Sequence, residues 1–392
     1  MSKGNKKKLE DLTLEAIISR YNKEAGVTVV GPLSDFDLTL DVVPTANLML
    51  DAATGIGGFA LGKMYEVAGD KASGKSTLSI SLARQHLLMR DKNVLYVDIE
   101  DASTSTLLGN FGIYEYEDRF IRSTVAIAET ALDLVLDVVK TGSCSLVVID
   151  SVAALIPQNE NDKNLDEVEQ IGERAKLIQR FIQKVNPLLG ITKTTVVLIN
   201  QLRTDIKKAQ FNPRGNPMKS TGGKAVEYFP SFKVTLQALA APRENKLFYN
   251  KYGVKMAEPV KLDIGKNKLS RTCDYRKPST LRLGFGFDIV YDLIALAELA
   301  CRITYKGSWI KYGKDISVQG ANRLYDLLIS DADVRNRLIT DTLPLVGISD
   351  VAEYMKVFND FVVRKTEIYD ADMVNFNNDS EEVDNKKDSE NE

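Results

Sequence analysis

The sequence predicts an α/β protein whose core is a twisted, mostly parallel β-sheet flanked by helices. Between residues 64 and 238, apolar runs of five to seven residues alternate with longer segments of helical periodicity. Strands that are buried on both faces have such uninterrupted apolar runs. The chain has 392 residues, of which 44% are hydrophobic and 27% are charged. This balance is typical of a folded globular protein with a sizeable core.

Six apolar runs are the predicted strands of this sheet: 64–69, 94–100, 119–123, 145–150, 194–200 and 232–238. Helical patterns fill most of the gaps between them: 76–90, 126–140 and 172–189. Three more apolar runs follow: 260–263, 268–271 and 280–285. Because no helix fits between these last three, they are predicted to pair in an antiparallel way.

The two ends of the chain differ from this core. Residues 1–25 have an apolar helical face, and residues 27–40 are predicted to be extended. A predicted helix over 288–300 and the lone Trp309 begin a smaller C-terminal region. We therefore predict four parts: an N-terminal helical segment (1–40), a large core (41–287), a small C-terminal α/β domain (288–366) and a disordered tail (367–392).

Composition excludes several classes of protein. No run of about 18 uncharged apolar residues is present to cross a membrane, and no secretory signal follows the basic N-terminus, so a cytoplasmic protein with no membrane partner is predicted. Cys144, Cys273 and Cys301 are too scattered for a disulfide framework or a zinc site. His86 is the only histidine, so chemistry based on a histidine pair is excluded. His86 itself is predicted to pack or to make a surface contact.

The formal net charge of −3 is unevenly distributed. Residues 367–392 contain ten acidic residues and two lysines, so the tail carries −8 and residues 1–366 carry +5. An acidic tail on a basic body is typical of nucleic-acid proteins whose tail competes with the nucleic acid. A solvated tail that aids solubility explains the same charges equally well.

Residues 69–77, GDKASGKST, carry a nucleotide-binding motif. They match G-x-x-x-x-G-K-[ST] between a predicted strand and a predicted helix, which is the context that this loop requires. Its backbone N–H groups and the helix N-terminus would surround phosphates, Lys75 would reach the β- and γ-phosphates, and Ser76 would hold Mg²⁺. The predicted nucleotide contacts in the loop are Gly69, Asp70, Lys71, Ala72, Ser73, Gly74, Lys75, Ser76 and Thr77.

Acidic residues end two of the predicted strands. Asp150 ends the strand 145–150 and is predicted to bind the nucleotide and, with Ser76, to hold Mg²⁺. Glu100 ends the strand 94–100, and the carboxyl ends of parallel strands face the ligand crevice. Glu100 is therefore the candidate that polarises the attacking water. Asp98 and Asp101 flank it and remain alternatives.

A basic segment follows a third strand, which ends in the neutral amides Asn200 and Gln201. An amide at this edge would sense the γ-phosphate without titrating. Residues 202–221 carry a net charge of +4 and contain two prolines. A loop of about 20 residues is unusual in a compact domain and suggests a function. Basic charge there suits single-stranded nucleic acid, although a solvated loop is the alternative. The same two interpretations apply to residues 243–282, whose net charge is +7.

Several of these segments resemble the RecA family of DNA strand-exchange recombinases. The resemblance covers roughly residues 40–290, and its segments have the order and spacing of that family: GDKASGKST, YVDIED, LVVIDSVAAL, VVLINQLR, STGGKAVEY and IGKNKLS. It implies a RecA-fold ATPase that uses ATP and Mg²⁺, polymerises on single-stranded DNA as a helical filament, and pairs it with double-stranded DNA in recombination and repair. A DNA loader, a single-strand-binding protein and association with the nucleoid are further implications.

The resemblance also implies roles for individual residues. Glu100 matches the general base of the family, and Gln201 matches the amide that couples ATP to the second DNA loop. Lys266 and Lys268 match a lysine pair that reaches the phosphates of a neighbouring protomer. Tyr228 matches an aromatic residue at the protomer interface. The implied DNA contacts are Ile171, Arg174, Lys176, Arg180, Arg203, Ile206, Lys207, Lys208, Arg214, Lys219, Gly222 and Gly223.

Three features depart from the family pattern. The first DNA loop, 157–170, is acidic, so phosphate contacts there would come from Arg174, Lys176 or Arg180. The second loop is longer than is usual. Leu107 stands where an aromatic residue often stacks on adenine.

Two other functions remain open on the sequence. One is another RecA-fold motor such as a ring-shaped helicase, which would share the phosphate loop and Asp150. The other is a structural DNA-binding filament with a vestigial nucleotide site. Lys266, Lys268 and the loop after Gln201 favour the recombinase.

Overall fold

The computed structural model describes residues 13–164, 172–204, 218–220, 223–242, 247–250, 253–275 and 277–369. The chain forms two compact units, one that ends at Asp41 and one that begins at Val42. No helix within the described ranges is both long enough and apolar enough to span a bilayer.

In the first unit, residues 13–41 contain the helix α1 (Leu14–Ala25) and a 3₁₀ turn at Leu33–Asp35. Thr13 caps the start of α1 by accepting a hydrogen bond from the Ala16 amide, and Gly26 ends the helix in the left-handed conformation that glycine adopts without strain. The helix buries no side chain, and Leu14 is 70% exposed. The predicted helix is therefore present over 14–25, and its residues 1–12 lie outside the described part of the chain.

The second unit confirms the predicted α/β class. A short antiparallel pair, β1 (Val42–Val43) and β2 (Phe59–Ala60), precedes the main sheet. The strands of the main sheet are, in chain order, β3 (Met64–Gly69), β4 (Asn93–Asp98), β5 (Phe120–Ser123), β6 (Cys144–Asp150), β7 (Thr195–Thr204), β8 (Met218–Ser220), β9 (Phe232–Ala238), β10 (Ala257–Asn267), β11 (Ser279–Arg282) and β12 (Gly286–Phe287).

The order of strands across this sheet is β12-β11-β10-β9-β3-β7-β6-β4-β5, with β8 paired to β7. All pairs from β9 to β5 are parallel, whereas β9, β10, β11 and β12 pair in an antiparallel way, as predicted. The phosphate-loop strand β3 therefore lies in the middle of the sheet, and β7 lies between β3 and β6. This order brings the carboxyl ends of β3, β7, β6 and β4 to one edge.

Helices cover both faces of the sheet. Those before residue 230 are α2 (Leu48–Thr54), α3 (Lys75–Met89), α4 (Ser105–Asn110), α5 (Ala128–Thr141), α6 (Gln158–Asn161), α7 (Glu173–Thr192) and α8 (Gly223–Tyr228). On one face, Leu78 and Ile80 of α3 pack with Tyr96 in one buried cluster. On the other face, α5 and α7 contribute Leu132 and Phe181 to a second cluster. Burying each such side chain contributes about 1.5–3 kcal/mol.

The C-terminal elements form a further layer. They are α9 (Ile289–Leu299), the antiparallel strands β13 (Ile303–Lys306), β14 (Trp309–Tyr312) and β15 (Ile316–Gln319), and the helices α10 (Ala321–Ser330), α11 (Ala332–Thr342) and α12 (Val351–Arg364). Their apolar cluster also includes Leu48 and Met49 of α2. Asp292 of α9 accepts hydrogen bonds from the Met49 amide and the Ser279 hydroxyl, so α2, β11 and α9 are joined in the interior.

Several predicted segments differ from the structure, each for a local reason. Residues 268–271 form a turn, because Oδ1 of Asn267 accepts from the amides of Leu269 and Ser270 and so ends β10. The strand predicted to end at residue 200 continues to Thr204, because residues 202–204 pair with β8. The prediction that residues 202–221 lack regular structure is wrong at both ends of that range, while residues 205–217 and 221–222 lie outside the described ranges. The predicted extension of residues 27–40 gives way at residues 33–35 to the 3₁₀ turn.

The single histidine lies inside α3. His86 is fully buried, and burial lowers its pKa to about 3, with the charge of Arg90 adding to the effect. The imidazole is therefore neutral at ordinary pH and acts as a packing side chain.

Candidate nucleotide and nucleic-acid site

The phosphate loop connects β3 to α3 in the centre of the sheet. A Cβ at Gly69 would lie 2.5 Å from the backbone oxygen of Leu236, so only glycine fits beside β9 at this point. Gly74 precedes α3 with φ of 88°, a conformation that side chains rarely adopt. The Ser73 hydroxyl donates to the backbone oxygen of Asp70 at 2.9 Å and closes the turn. The loop thus has the tight shape that an anion nest needs.

Lys75 and Ser76 lie at the first turn of α3. Nζ of Lys75 donates to the backbone oxygen of Asp70 at 2.6 Å, so the ammonium group folds back over the loop. Burial lowers the pKa of Lys75, and the neighbouring carboxylates, Asp150 first among them, oppose this shift. A cation held here by carboxylates and a carbonyl can exchange these partners for phosphate oxygens.

Asp150 ends β6 beside this loop. Its carboxylate accepts a hydrogen bond from the Tyr96 hydroxyl at 2.9 Å. Burial raises the pKa of Asp150, although the nearby side chains of Ser76 and Tyr96 oppose the rise. Asp150 and Ser76 are therefore adjacent, as the predicted magnesium site requires.

The donor set around Asp150 fits a magnesium ion that is bound together with a nucleotide. Within the described ranges, no group of three or more His, Cys, Asp or Glu side chains could hold a metal by itself. Mg²⁺ usually has one or two protein ligands and takes the rest from phosphates and water. The hydroxyl of Ser76 and the carboxylate of Asp150 meet that requirement beside an anion nest.

Glu100 lies two residues beyond the end of β4. Its Oε1 accepts from the Ser151 hydroxyl at 2.6 Å and from Nε2 of Gln201 at 3.1 Å. Residues from the edges of β4, β6 and β7 therefore meet at a single carboxylate oxygen. Among the described hydrogen bonds both donors use Oε1, so Oε2 is the oxygen that a water molecule would use.

Asp98 and Asp101, the two alternatives to Glu100, are both bound to Arg122. Asp98 is buried and accepts from the Arg122 guanidinium at 2.7 Å and from the amides of Ala102 and Ser103. Burial alone would raise the pKa of Asp98, but these hydrogen bonds hold it below its ordinary value. Asp101 forms an ion pair with the same guanidinium. Both carboxylates are therefore bound by a cationic side chain, whereas Glu100 accepts from the neutral Ser151 and Gln201.

A cavity of about 250 Å³ opens next to the loop. Residues 72–77 form one side, and the other side contains Glu258, Leu281, Arg282, Leu283 and Gly284. This second wall was not predicted from the sequence, because its residues belong to no motif and reach the loop only through the antiparallel pairing of β10 and β11. Leu107 lies on α4, partly buried against the core, so the apolar lining of the cavity comes from Leu281 and Leu283.

Asn200 and Gln201 differ in their surroundings. Nδ2 of Asn200 donates to the buried carboxylate of Glu66 at 3.0 Å, and Lys233 pairs with the other oxygen of Glu66 at 3.2 Å. Asn200 is thus part of the interior between β3 and β7. Gln201 is the amide that reaches Glu100.

Lys266 and Lys268 lie near the end of β10 and bind the C-terminus of α8. Nζ of Lys268 donates to the backbone oxygens of Tyr228 and Phe229 at 2.8 and 2.9 Å, and Lys266 donates to those of Glu227 and Tyr228. Both lysines are cations at the negative end of a short helix. Neither belongs to the cavity wall beside the phosphate loop.

The predicted DNA contacts fall into three groups. Lys176 and Arg180 are exposed on α7, whereas Arg174 donates to the backbone oxygen of Ala153 at 2.8 Å. Arg203 and Lys219 are backbone register partners in the β7–β8 ladder. The residues outside the described ranges are Ile171, Ile206, Lys207, Lys208, Arg214 and Gly222.

Gly223 begins α8 directly after the second loop. A Cβ at Gly223 would lie 3.3 Å from Cβ of Ala175, near the start of α7. The residues that follow the first and the second predicted DNA loop are therefore neighbours.

Comparisons with known proteins agree with this architecture. The family model for the RecA N-terminal domain matches residues 10–284. The protein RecA of Mesoplasma florum is 30% identical over 327 residues, which are 83% of this chain and 92% of that protein. RecA of Thermus thermophilus is 29% identical over 348 residues, covering 88% of this chain and 96% of its own. RecA of Aquifex aeolicus is 29% identical over 320 residues, covering 79% and 86%. The chain belongs to the RecA family of recombinases.

Proposed function

We propose that this protein is an ATP-dependent recombinase that polymerises on single-stranded DNA and exchanges strands with homologous double-stranded DNA. The hydrogen bond between Gln201 and Glu100 carries this proposal. Gln201 belongs to β7, which ends at Thr204, and the basic segment 205–217 follows in the sequence. One strand therefore contacts the candidate base through Gln201 and precedes the candidate DNA-binding segment by a few residues.

The site supports ATP hydrolysis by general base catalysis. Glu100 would take a proton from water as the water oxygen bonds to the γ-phosphorus and the bond to the β-phosphate oxygen breaks. Lys75 and the loop amides would neutralise charge on the phosphates. Ser76 and Asp150 would hold Mg²⁺, which supplies further charge neutralisation on the phosphate oxygens when it is bound. Residues 69–77 would bind the nucleotide as a whole.

Self-association is supported by exposed apolar side chains and by two lysines that lie outside the nucleotide cavity of their own chain. Leu14, Leu33 and Leu38 of the first unit are 70%, 73% and 68% exposed, which suits an N-terminal segment that docks on a neighbouring copy. Lys266 and Lys268 lie outside the cavity wall of their own chain. They would act on the phosphates of a neighbouring protomer, as arginine fingers do in other phosphate-transfer enzymes.

DNA binding is supported by charge and by the position of the residues that follow the two loops. The exposed Lys176 and Arg180 follow the first loop, and Gly223, which follows the basic second loop, lies beside Ala175 of the same helix. Phosphate contacts from such side chains dominate affinity for single strands. The acidic tail 367–392 would compete for this surface.

Three assays on the full chain test the proposed function. ATP hydrolysis is measured with and without single-stranded DNA, the complexes are viewed by electron microscopy, and strand exchange is measured between a circular single strand and a linear duplex. We expect DNA-stimulated hydrolysis, open helical filaments and strand exchange. Closed rings would favour the helicase, and filaments without hydrolysis would favour a structural filament.

A further inference from the structure

A buried tyrosine on β4 contacts the carboxylate of Asp150. Tyr96 is 1% exposed, and its hydroxyl lies 2.9 Å from Oδ2 of Asp150. The two residues lie on adjacent parallel strands, where Asp98, two positions after Tyr96, is the register partner of Asp150. Residues two apart on a strand share a face, so Tyr96 meets Asp150 from the side that α3 covers.

The same hydroxyl contacts the helix that carries the phosphate loop. Oγ of Ser79 lies 3.0 Å from the Tyr96 hydroxyl and 2.9 Å from the backbone oxygen of Ser76. Ser79 stands one turn after Ser76 in α3. The tyrosine therefore links the strand that ends in Asp150 to the first turn of the helix that presents Ser76.

Counting protons fixes the direction of the hydrogen bond to Asp150. A tyrosine hydroxyl has one proton, and an ionised carboxylate only accepts. Tyr96 therefore donates to Asp150. Ser79 also has one hydroxyl proton, which serves either the backbone oxygen of Ser76 or the oxygen of Tyr96.

We propose that Tyr96 is a positioning residue for the magnesium site: its hydroxyl, backed by Ser79, fixes Oδ2 of Asp150 and so sets the direction in which the carboxylate meets Ser76 and Mg²⁺. The inference rests on the proposed ATPase function. A carboxylate at the end of a strand rotates about its side-chain bonds unless one oxygen is held. Partners that hold a metal-binding group in this way typically affect metal affinity 10- to 100-fold.

The test compares two tyrosine variants of the full chain. Tyr96→Phe removes the hydroxyl and keeps the ring, which stacks on Phe120. Tyr65→Phe is the matched control, because Tyr65 is also fully buried and its hydroxyl donates to the backbone oxygen of Ala60 at 3.0 Å. Each variant loses one buried hydroxyl, Tyr65→Phe with its contact to Ala60 and Tyr96→Phe with its contacts to Asp150 and Ser79. A general loss of stability therefore lowers the melting temperature of both.

The readout is the binding of a fluorescent ATP analogue during a Mg²⁺ titration, with EDTA as the metal-free reference. We expect the Mg²⁺ concentration for half-maximal binding to rise about tenfold in Tyr96→Phe and to stay unchanged in Tyr65→Phe. Metal-free binding should be equal in all three proteins. Ser79→Ala should shift the Mg²⁺ titration in the same direction by a smaller factor, and it decides the question if Tyr96→Phe does not fold.

A Mg²⁺ titration of Tyr96→Phe that coincides with that of Tyr65→Phe overturns the positioning role while the ATPase proposal stands. Wild-type protein whose nucleotide binding ignores Mg²⁺ overturns the magnesium site itself. The two failures are therefore seen in different proteins.

Discussion

Gln201 of β7 and Glu100, just after β4, come from strands that are not adjacent, and the amide of Gln201 still reaches Oε1 of Glu100 at 3.1 Å. Ser151 directly follows β6, the strand between them, and its hydroxyl binds the same oxygen. Three segments distant in sequence thus fix one carboxylate. The orientation of Glu100 depends on the position of β7, which is the strand that leads toward the basic segment.

Replacing Glu100 by Gln should nearly abolish ATP hydrolysis. The amide keeps the size of the side chain but cannot accept a proton, so the rate should fall on the order of 10²-fold or more, while ATP and DNA still bind. Filaments with ATP should persist, because release requires turnover. The measurement is phosphate release in the presence of single-stranded DNA. Asp101→Asn is the control, and a normal rate in Glu100→Gln would move the base to Asp98 or Asp101.

The lysine pair of one protomer should complement the phosphate loop of another. A Lys266→Ala, Lys268→Ala protein and a Lys75→Ala protein should each be inactive in hydrolysis. In mixed filaments, an interface with intact Lys75 on one side and intact lysines on the other should recover part of the activity. Hydrolysis is measured across mixing ratios, with electron microscopy to establish that mixed filaments form. If they form and no ratio restores activity, the lysines do not act across the interface.

Deleting residues 367–392 should tighten DNA binding at low salt. The deleted segment carries a net charge of −8, so it competes with DNA phosphates for the basic body. At high salt this competition is screened, so the two proteins should converge. Affinity for a fluorescent single strand is measured across a salt titration. Equal affinities at every salt concentration would show that the tail only aids solubility.

The stability of the protein should decrease as the pH rises from about 4 to about 8. Burial raises the pKa of Asp51 to about 7 and that of Asp292 to about 8, against the hydrogen bonds that each accepts. Both groups bind protons in the folded state that the unfolded chain has already released. Their contribution is therefore complete below the unfolded pKa, near 4, and is lost as the pH rises through 7 and 8.

Urea denaturation at about pH 5, 7 and 9 measures this dependence. We expect the free energy of unfolding to fall by a few kcal/mol across the range. An Asp292→Asn variant keeps the acceptor oxygen for Ser279 and removes one titration, so its profile should be flatter. A wild-type profile that is level or rises would contradict the protonated state of both buried carboxylates.

Residues that bind through their immediate neighbours in sequence were predictable. The phosphate loop is a continuous motif, and Asp150 was found because an acidic residue ends an apolar run. Tyr96 gave no such signal, because its partner Asp150 lies 54 positions away in the sequence. The cavity wall at Glu258 and Leu281 gave none either, because these residues meet the phosphate loop only in the folded sheet. The binding of Asp98 by Arg122 is likewise a contact between neighbouring strands that spacing alone does not reveal.

The boundaries of strands were less predictable than their existence. Residues 202–204 (LRT) and 218–220 (MKS) are short and of mixed polarity, and the prolines and asparagines between them suggested that order ended at residue 200. The ladder between β7 and β8 supplies backbone hydrogen bonds that a single segment cannot predict. Tertiary pairing overrides weak local preference here.

The pairing of β7 with β8 also determines how easily this protein can change. Thr204 and Met218 are partners across the ladder, so the ends of the segment between them are held side by side whatever its length. Closing a flexible segment between fixed ends costs only about 0.6 kcal/mol more for each doubling of its length. Insertions and deletions between these two residues therefore change the free energy of folding only slightly. Evolution can lengthen or rewrite this basic segment while the strands around the phosphate loop stay intact.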